Sequence, residues 1–80
     1  MHYVYRIRSE RYPDREYTGF TSNLRERLWH HNGGCCDYTR AFRPWKLVWY
    51  SAFETEQKAR DFERYLKSGS GQAFAKKRFW

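Results

Sequence analysis

The sequence predicts a small α+β domain, and three observations lead to this prediction. Segment 2–8, HYVYRIR, alternates its side chains with a period of two, as a β-strand does. Segment 45–51, WKLVWYS, is rich in aromatic residues and contains a valine, which favours another strand. Segments 23–32 and 55–68 instead repeat apolar residues at helical spacing, so strands and helices occur in one short chain.

The composition indicates a basic and aromatic protein. With 80 residues, the chain is expected to form a single domain, residues 1–80, around one modest core. Tyr, Phe and Trp make up 21% of the residues, and each large ring buries much apolar area. The net charge of +7 predicts an anionic partner, nucleic acid in the first place, because phosphate neutralisation rewards a basic surface.

The sequence also predicts a cytoplasmic protein without a membrane-spanning segment. No stretch reaches the roughly 18 apolar residues that a transmembrane helix needs, and no secretory signal precedes the first strand. Cys35 and Cys36 are adjacent and cannot cross-link distant parts of the fold, which fits a reducing compartment.

The first third of the chain is expected to form a β-hairpin. Pro and Asp within segment 12–14 favour a turn after the first strand. Residues 15–18 would then pair back as the second strand. Gly19 is expected to end that strand and to let the chain turn into a helix.

The helix that follows has clear signals at both ends. Ser22 or Asn23 would cap its N-terminus, and Glu26 follows Asn23 at capping-box spacing. The Asn-Gly-Gly run at 32–34 would end it.

This first helix is predicted to hold a cation beside its buried face. On a helical wheel, Leu24 and Leu28 form the stripe that is expected to be buried. Arg27 and His31 fall on the same half of the wheel, one turn apart. We therefore expect both at the edge of the stripe and not in bulk water.

In the second half of the chain, residues 35–44 are expected to form a loop before the strand at 45–51. The second helix would end at Gly69, and a further short helix is expected over 72–77. In the second helix, Glu63 projects at the edge of the apolar stripe, so each helix places one ionisable side chain beside its buried face.

Tyr5 and Tyr17 on the paired strands, with Arg27 and Glu63 on the helices, form a set suited to phosphodiester cleavage. An arginine fork binds a pair of phosphate oxygens and stabilises charge in the transition state. A single carboxylate with water ligands would hold Mg²⁺, which keeps much of its hydration shell. A tyrosine would orient the attacking water or remove its proton.

Each of these residues also has an ordinary structural role open to it. Glu63 stands four residues before Lys67, which is the favourable order for an ion pair on a helix surface. Arg27 would cover apolar surface with its stem, and the two tyrosines would be core aromatics of the sheet. His31 would cap or pack, or assist proton transfer.

His30 and His31, with Cys35 and Cys36, suggest zinc as an alternative metal. These side chains include suitable ligands for zinc. Adjacent cysteines, however, lack the two-residue gap with which a turn presents two sulfur atoms to one ion. We therefore do not expect zinc.

The order of these motifs resembles the GIY-YIG nuclease domain. Tyr3-Val4-Tyr5 stands where that family has GIY, and Tyr17-Thr18-Gly19 stands where it has YIG. The run NLRER, followed by HN, is similar to the arginine helix of the family, and RPWKLVWYSAF with ARDFERYLK is similar to its third strand and glutamate helix. The tail KSGSGQAFAKKR resembles the small stand-alone bacterial members, which are related to the N-terminal nuclease module of the repair protein UvrC.

Four positions depart from the family pattern. Tyr3 and Val4 replace the first two residues of GIY, and Thr18 replaces the isoleucine of YIG. Phe20 stands where UvrC-type members carry a lysine. None of these changes removes one of the proposed catalytic groups.

The resemblance implies a small central three-stranded antiparallel sheet flanked by helices. It implies a DNA endonuclease that uses a single divalent metal, Mg²⁺ or Mn²⁺, on branched or single-stranded DNA or in repair and recombination. Glu63 would be the metal ligand and Arg27 the phosphate-binding catalytic residue. Tyr5 and Tyr17 would position or deprotonate the water, with His31 as a supporting group.

Two other functions are compatible with the same residues. The first is a non-catalytic nucleic-acid-binding module of the same fold, in which Arg6, Arg8, Arg78 and Trp29 also contact the ligand. The second is a structural or partner-binding domain without affinity for DNA. For DNA binding, the cations expected to contact the backbone are Arg25, Arg40, Arg43, Lys67, Lys76 and Lys77.

Overall fold

The computed structural model of the protein describes residues 1–35 and 37–78. Its elements, in chain order, are β1 (His2–Ser9), β2 (Glu16–Thr21), α1 (Leu24–Asn32), α2 (Asp37–Arg40), β3 (Trp45–Phe53), α3 (Glu56–Lys67) and α4 (Gly69–Arg78). The strands form one antiparallel sheet in the order β2-β1-β3. The predicted α+β class and three-stranded antiparallel sheet are confirmed. No helix in the described part of the chain is long and apolar enough to cross a membrane.

The central strand β1 is covered on both faces. On one face, Val4 packs with Ala59 of α3 and Ala75 of α4. On the other, Tyr5 and Ile7 pack with Trp45, and the leucines of α1 lie against them. Because successive side chains of a strand point to opposite faces, α1 and α2 cover one side of the sheet and α3 and α4 the other. Full burial of an aliphatic side chain such as Ile7 contributes about 1.5–3 kcal/mol.

Gly19 does not end the second strand, as expected, but lies inside β2, which continues to Thr21. It pairs directly opposite Tyr5. A Cβ atom at this position would lie 2.5 Å from the Tyr5 hydroxyl and 2.9 Å from the Tyr17 ring. The glycine is therefore needed for the close approach of two tyrosines to the backbone of β2, and not for a turn.

The segment expected to be a loop contains the short helix α2. An ion pair between Arg40 and Asp37 spans its single turn, and Thr39 is fully buried beneath it. Residues 37–40 show no apolar stripe, because a helix of one turn is too short for a periodic pattern and buries only Thr39.

Gly69 begins α4 and does not simply end α3, so the predicted tail helix is longer than expected. Ser68 caps the C-terminus of α3 through a bond from its N–H to the Tyr65 carbonyl, and its hydroxyl accepts from the N–H of Gly71. Gly71 lies so close to the Tyr65 carbonyl that a larger residue would not fit. The tight connection lets α4 pack against α3.

Candidate active site

A hydrogen-bonded cluster of three side chains joins β1 to α1. The Tyr5 hydroxyl, buried with only 1% of the residue exposed, lies 2.8 Å from Nε2 of His31. Arg27 donates from Nε to the same hydroxyl oxygen at 3.2 Å. The phenol oxygen of Tyr5 is thus shared between a guanidinium and an imidazole inside the fold.

The local structure of α1 places both partners of Tyr5. Asn23 caps the helix by accepting from the N–H of Glu26 at 3.1 Å, as predicted, but the reciprocal half of the capping box is absent, because the Asn23 N–H donates to Oγ1 of Thr21 at 3.1 Å. From this start, Arg27 and His31 lie one turn apart on the side that faces the sheet.

The burial of α1 differs from the prediction. His31 was expected at the edge of an apolar stripe, but it is fully buried, while Leu24 and Leu28 are half-buried. Both ring nitrogens of His31 have hydrogen-bond partners, which offsets the cost of taking the imidazole out of water. Trp29 lies on the opposite side and is exposed, as the wheel predicts.

Thr39 of α2 holds the other side of the imidazole, and sequence reasoning missed it. Its Oγ1 lies 2.8 Å from Nδ1 of His31, and its carbonyl accepts from Nε1 of Trp45 at 2.7 Å. A threonine in a segment that reads as a polar loop carries no signal of this role. Only the packing of α2 beneath α1 reveals it.

The environment of His31 keeps the imidazole neutral. Burial lowers its pKa from 6.5 to about 4, with further lowering by the positive charge of Arg27 and then by His30. At neutral pH, one ring nitrogen of His31 therefore carries a proton and the other presents a lone pair.

Tyr17 lies beside this cluster on the edge strand β2. Its ring centroid is 5.1 Å from that of His31 and 6.4 Å from that of Tyr5. On its outer side it contacts Tyr38, whose residue is 52% exposed, at a centroid distance of 6.0 Å. The structure thus brings together four of the residues singled out from the sequence, and Tyr17 and Arg27 are less buried than Tyr5 and His31.

Glu63 lies on α3, on the other side of the sheet. Its carboxylate accepts from Nζ of Lys67 at 3.2 Å, which is the helix-surface pair considered above, and 24% of its side chain is exposed. One turn earlier, Arg60 lies over the ring of Phe20 in β2, with 5.3 Å between guanidinium and centroid. This flank of α3 therefore faces β2 from the layer opposite α1, so Glu63 and Arg27 lie on different sides of the sheet.

A basic groove runs between the hairpin and the two C-terminal helices, with a volume of about 730 Å³. Arg6 and Arg8 both pair with the single carboxylate of Glu16, Arg8 at 3.6 Å. Lys67 and Lys76 line the opposite wall. The remaining lining residues are Tyr17, Thr18, Tyr38, Leu66 and Gln72.

Only part of the predicted cationic set lies at this groove. Lys67 and Lys76 line it, whereas Arg25 lines a smaller pocket beside Tyr3 and Tyr50. Arg40 pairs with Asp37 on α2. Arg43 and Lys77 are exposed on the loop before β3 and on α4, while the side chain of Arg78 lies outside the described part of the chain.

The carboxylate of Glu63 is the candidate ligand for a hard cation. Within residues 1–35 and 37–78, no three His, Cys, Asp or Glu side chains cluster as metal ligands would. A partly exposed carboxylate such as Glu63, completed by water, suits Mg²⁺ or Mn²⁺. His31 is already bonded through both ring nitrogens, and Cys36, which the zinc alternative needs, lies outside the described residues.

The three-stranded antiparallel sheet, the tyrosine pair and the arginine-bearing helix are consistent with a GIY-YIG fold. The family model of the GIY-YIG catalytic domain matches residues 1–78, and the chain belongs to the GIY-YIG family. This family is part of a nuclease superfamily, whose substrates are nucleic acids.

The relatives of the chain are small UPF0213 proteins. A UPF0213 protein of Clostridium perfringens is 41% identical over 68 residues, which cover 84% of this chain and 71% of that protein. One of Streptococcus agalactiae is 41% identical over 58 residues, covering 71% of this chain and 66% of that protein. One of Staphylococcus haemolyticus is 35% identical over 72 residues, covering 89% and 85%. These names state no activity.

Proposed function

We propose that the protein is a metal-dependent endonuclease that hydrolyses phosphodiester bonds in DNA. The observation that carries this proposal is the buried phenol of Tyr5, bonded to a neutral imidazole on one side and to the Arg27 guanidinium on the other. A guanidinium beside a phenol stabilises negative charge on the phenol oxygen, and the lone pair of a neutral imidazole accepts a hydrogen bond from the phenol O–H. The cluster is therefore a means of activating a phenol as a base.

In the proposed reaction, the two tyrosines serve the attacking water. Tyr17 lies nearer to solvent and would orient the water beside Tyr5. The Tyr5 hydroxyl would pass its proton to Nε2 of His31 as it takes one from the water. Arg27 would stabilise the negative charge that develops on the Tyr5 oxygen during this transfer through Nε, while its fork binds a phosphate oxygen.

Glu63 is the proposed ligand of the divalent metal. The bound ion would supply charge neutralisation at the leaving oxygen. Glu63 now pairs with Lys67, so metal binding requires the Lys67 ammonium to leave the carboxylate. That ammonium lines the basic groove, where a phosphate would receive it.

The basic groove is the proposed track for the DNA backbone. It borders Tyr17, so a strand that lies in it passes the proposed chemistry at the edge of β2. Branched or single-stranded DNA, as met in repair and recombination, is the substrate we propose. The exposed ring of Tyr38 offers a stacking surface for an unpaired base.

The test is cleavage of supercoiled plasmid and of labelled single-stranded, duplex and branched oligonucleotides with Mg²⁺ or Mn²⁺. Glu63→Gln should abolish cleavage while leaving the fold intact. Glu56→Gln is the matched control. Like Glu63, Glu56 forms an ion pair with the residue four positions later on the same helix, which is Arg60 at 3.2 Å. Equal cleavage by wild type and Glu63→Gln, or none by wild type on any DNA form, would refute the proposal.

The alternative is a non-catalytic nucleic-acid-binding module. The Glu63–Lys67 pair favours it, because a carboxylate held by an ammonium needs no metal. Such a module would bind DNA equally with EDTA or Mg²⁺, with affinity that falls steeply with salt. Binding without cleavage across the same panel of DNA forms would select this alternative.

A further inference from the structure

Thr39 contacts the proposed catalytic cluster from the side away from Tyr5. It is fully buried, and its hydroxyl lies 2.8 Å from Nδ1 of His31. Its position is fixed by its own carbonyl, which accepts from the Trp45 indole at 2.7 Å. The C-terminus of α1 is tied to the same tryptophan, because Nδ2 of Asn32 donates to the Trp45 carbonyl at 3.1 Å.

The two hydrogen bonds of His31 depend on each other. A neutral imidazole has one N–H donor and one acceptor, so the group bonded to one nitrogen decides what the other nitrogen offers. If Nδ1 donates to Thr39, Nε2 accepts the Tyr5 proton. If Nδ1 accepts from Thr39, Nε2 donates to the Tyr5 oxygen and cannot take a proton from it.

The contact with Arg27 favours the first arrangement. The Tyr5 oxygen already accepts from Nε of Arg27 at 3.2 Å. A phenol that accepts from a guanidinium becomes a stronger O–H donor, because the positive charge stabilises its developing negative charge. The lone pair of Nε2, at 2.8 Å, is a well-placed acceptor for that proton.

We propose that Thr39 is a positioning residue, which holds His31 as the Nδ1–H tautomer with the Nε2 lone pair directed at the Tyr5 hydroxyl. This role is not a contact with substrate. The effect of Thr39 on catalysis rests on the endonuclease function proposed above. Its effect on the tautomer of His31 does not depend on that function.

The direct test is the tautomer of His31, read from two-bond ¹H–¹⁵N correlations of the imidazole in ¹⁵N-labelled protein at pH 7. The wild type is expected to show the Nδ1–H pattern. Thr39→Val keeps the shape of the side chain and removes the hydroxyl, so Nε2–H should gain population. Thr39→Ser restores the hydroxyl and should restore the wild-type pattern.

Ser9→Ala is the matched control. Ser9 is also fully buried, and its hydroxyl donates to the Phe42 carbonyl, away from His31. Removing it should leave the His31 pattern unchanged. A change in Ser9→Ala equal to that in Thr39→Val would reduce the role of Thr39 to general packing and overturn the proposal.

Cleavage supplies the second readout. Thr39→Val should lower kcat by roughly 10-fold or more, with little change in KM, because loss of the correct tautomer impairs proton transfer and not binding. Thr39→Ser should recover most of the rate.

The outcomes separate this proposal from the endonuclease assignment. Suppose that the wild type cleaves no DNA but shows the Nδ1–H pattern, and that Thr39→Val loses this pattern. The endonuclease function would then be refuted, whereas the positioning role of Thr39 would stand. A wild-type Nε2–H pattern overturns the proposal outright, even if Thr39→Val fails to fold.

Discussion

The buried hydroxyl of Tyr5 lies 2.8 Å from Nε2 of His31, and this contact joins the central strand to the first helix. It places an ionisable pair inside the core next to a guanidinium. Such groups are costly to bury unless each has a partner, and here each partner is itself a candidate for the chemistry. The contact therefore serves the stability of the fold and its proposed activity.

Tyr5→Phe tests the hydroxyl at the centre of the cluster. The ring still packs, but His31 and Arg27 each lose a partner, so the protein should be destabilised by roughly 1–3 kcal/mol. DNA cleavage should fall by about 100-fold or more, since proton transfer loses its first group. Chemical denaturation and single-turnover cleavage measure the two effects.

The control for this substitution is Tyr3→Phe, in the same strand. Tyr3 contacts the exposed ring of Tyr50 and lies outside the cluster. Equal loss of cleavage in the two variants would show that the Tyr5 hydroxyl has no special part in the reaction.

The titration of His31 predicts how stability depends on pH. Its pKa is lowered to about 4 in the folded protein, whereas in the unfolded chain it returns to 6.5. Between these values the unfolded state binds a proton that the folded state does not. The contribution of His31 to the free energy of unfolding is therefore fully present above pH 6.5. It is lost as the pH falls toward 4, which lowers the free energy of unfolding by roughly 1–3 kcal/mol.

This prediction is checked by NMR titration of the His31 ring and by urea denaturation at several pH values. His31→Gln should show a shallower loss of stability over the same pH range than the wild type. A midpoint for His31 above pH 6 would contradict the burial of a neutral imidazole.

Gly19→Ala tests the close approach of the tyrosines to β2. The new methyl group would lie 2.5 Å from the Tyr5 hydroxyl, so Tyr5 must shift away from His31 and Arg27. We expect a destabilisation of about 1–3 kcal/mol and a loss of cleavage. Gly69→Ala is the control, because a Cβ there meets nothing within 4 Å. Similar melting temperatures for Gly19→Ala and the wild type would count against this reading of the strand.

Arg8→Ala and Lys76→Ala test the basic groove. Both side chains line it, from β1 and α4. Each substitution should weaken binding of single-stranded DNA in EDTA, and the slope of log affinity against log salt should fall by about 0.7–1 per lost contact. Lys58→Ala removes the same charge from another surface, lined by Phe53 and Phe62. If it weakens binding as much, the groove is not the track and only net charge matters.

Local sequence signals predicted the main elements well. The period of β1, the cap at Asn23 and the stripe of α3 each depend on residues a few positions apart. The same is true of Arg27 and His31, whose common orientation follows from the pitch of one helix. Gly19 was misread because its role depends on a ring from the neighbouring strand, which no local pattern contains.

The sequence alone determined that a basic, aromatic chain folds as strands and amphipathic helices, with a tyrosine, an arginine and a glutamate near their faces. Only the tertiary structure decided that His31 is buried and neutral, that Thr39 holds its far side, and that Glu63 lies on the opposite side of the sheet from Arg27. The physical reason is range. Helix and strand signals act over one or two turns, whereas burial, pKa and hydrogen-bond partners depend on which distant segments the packed sheet brings together.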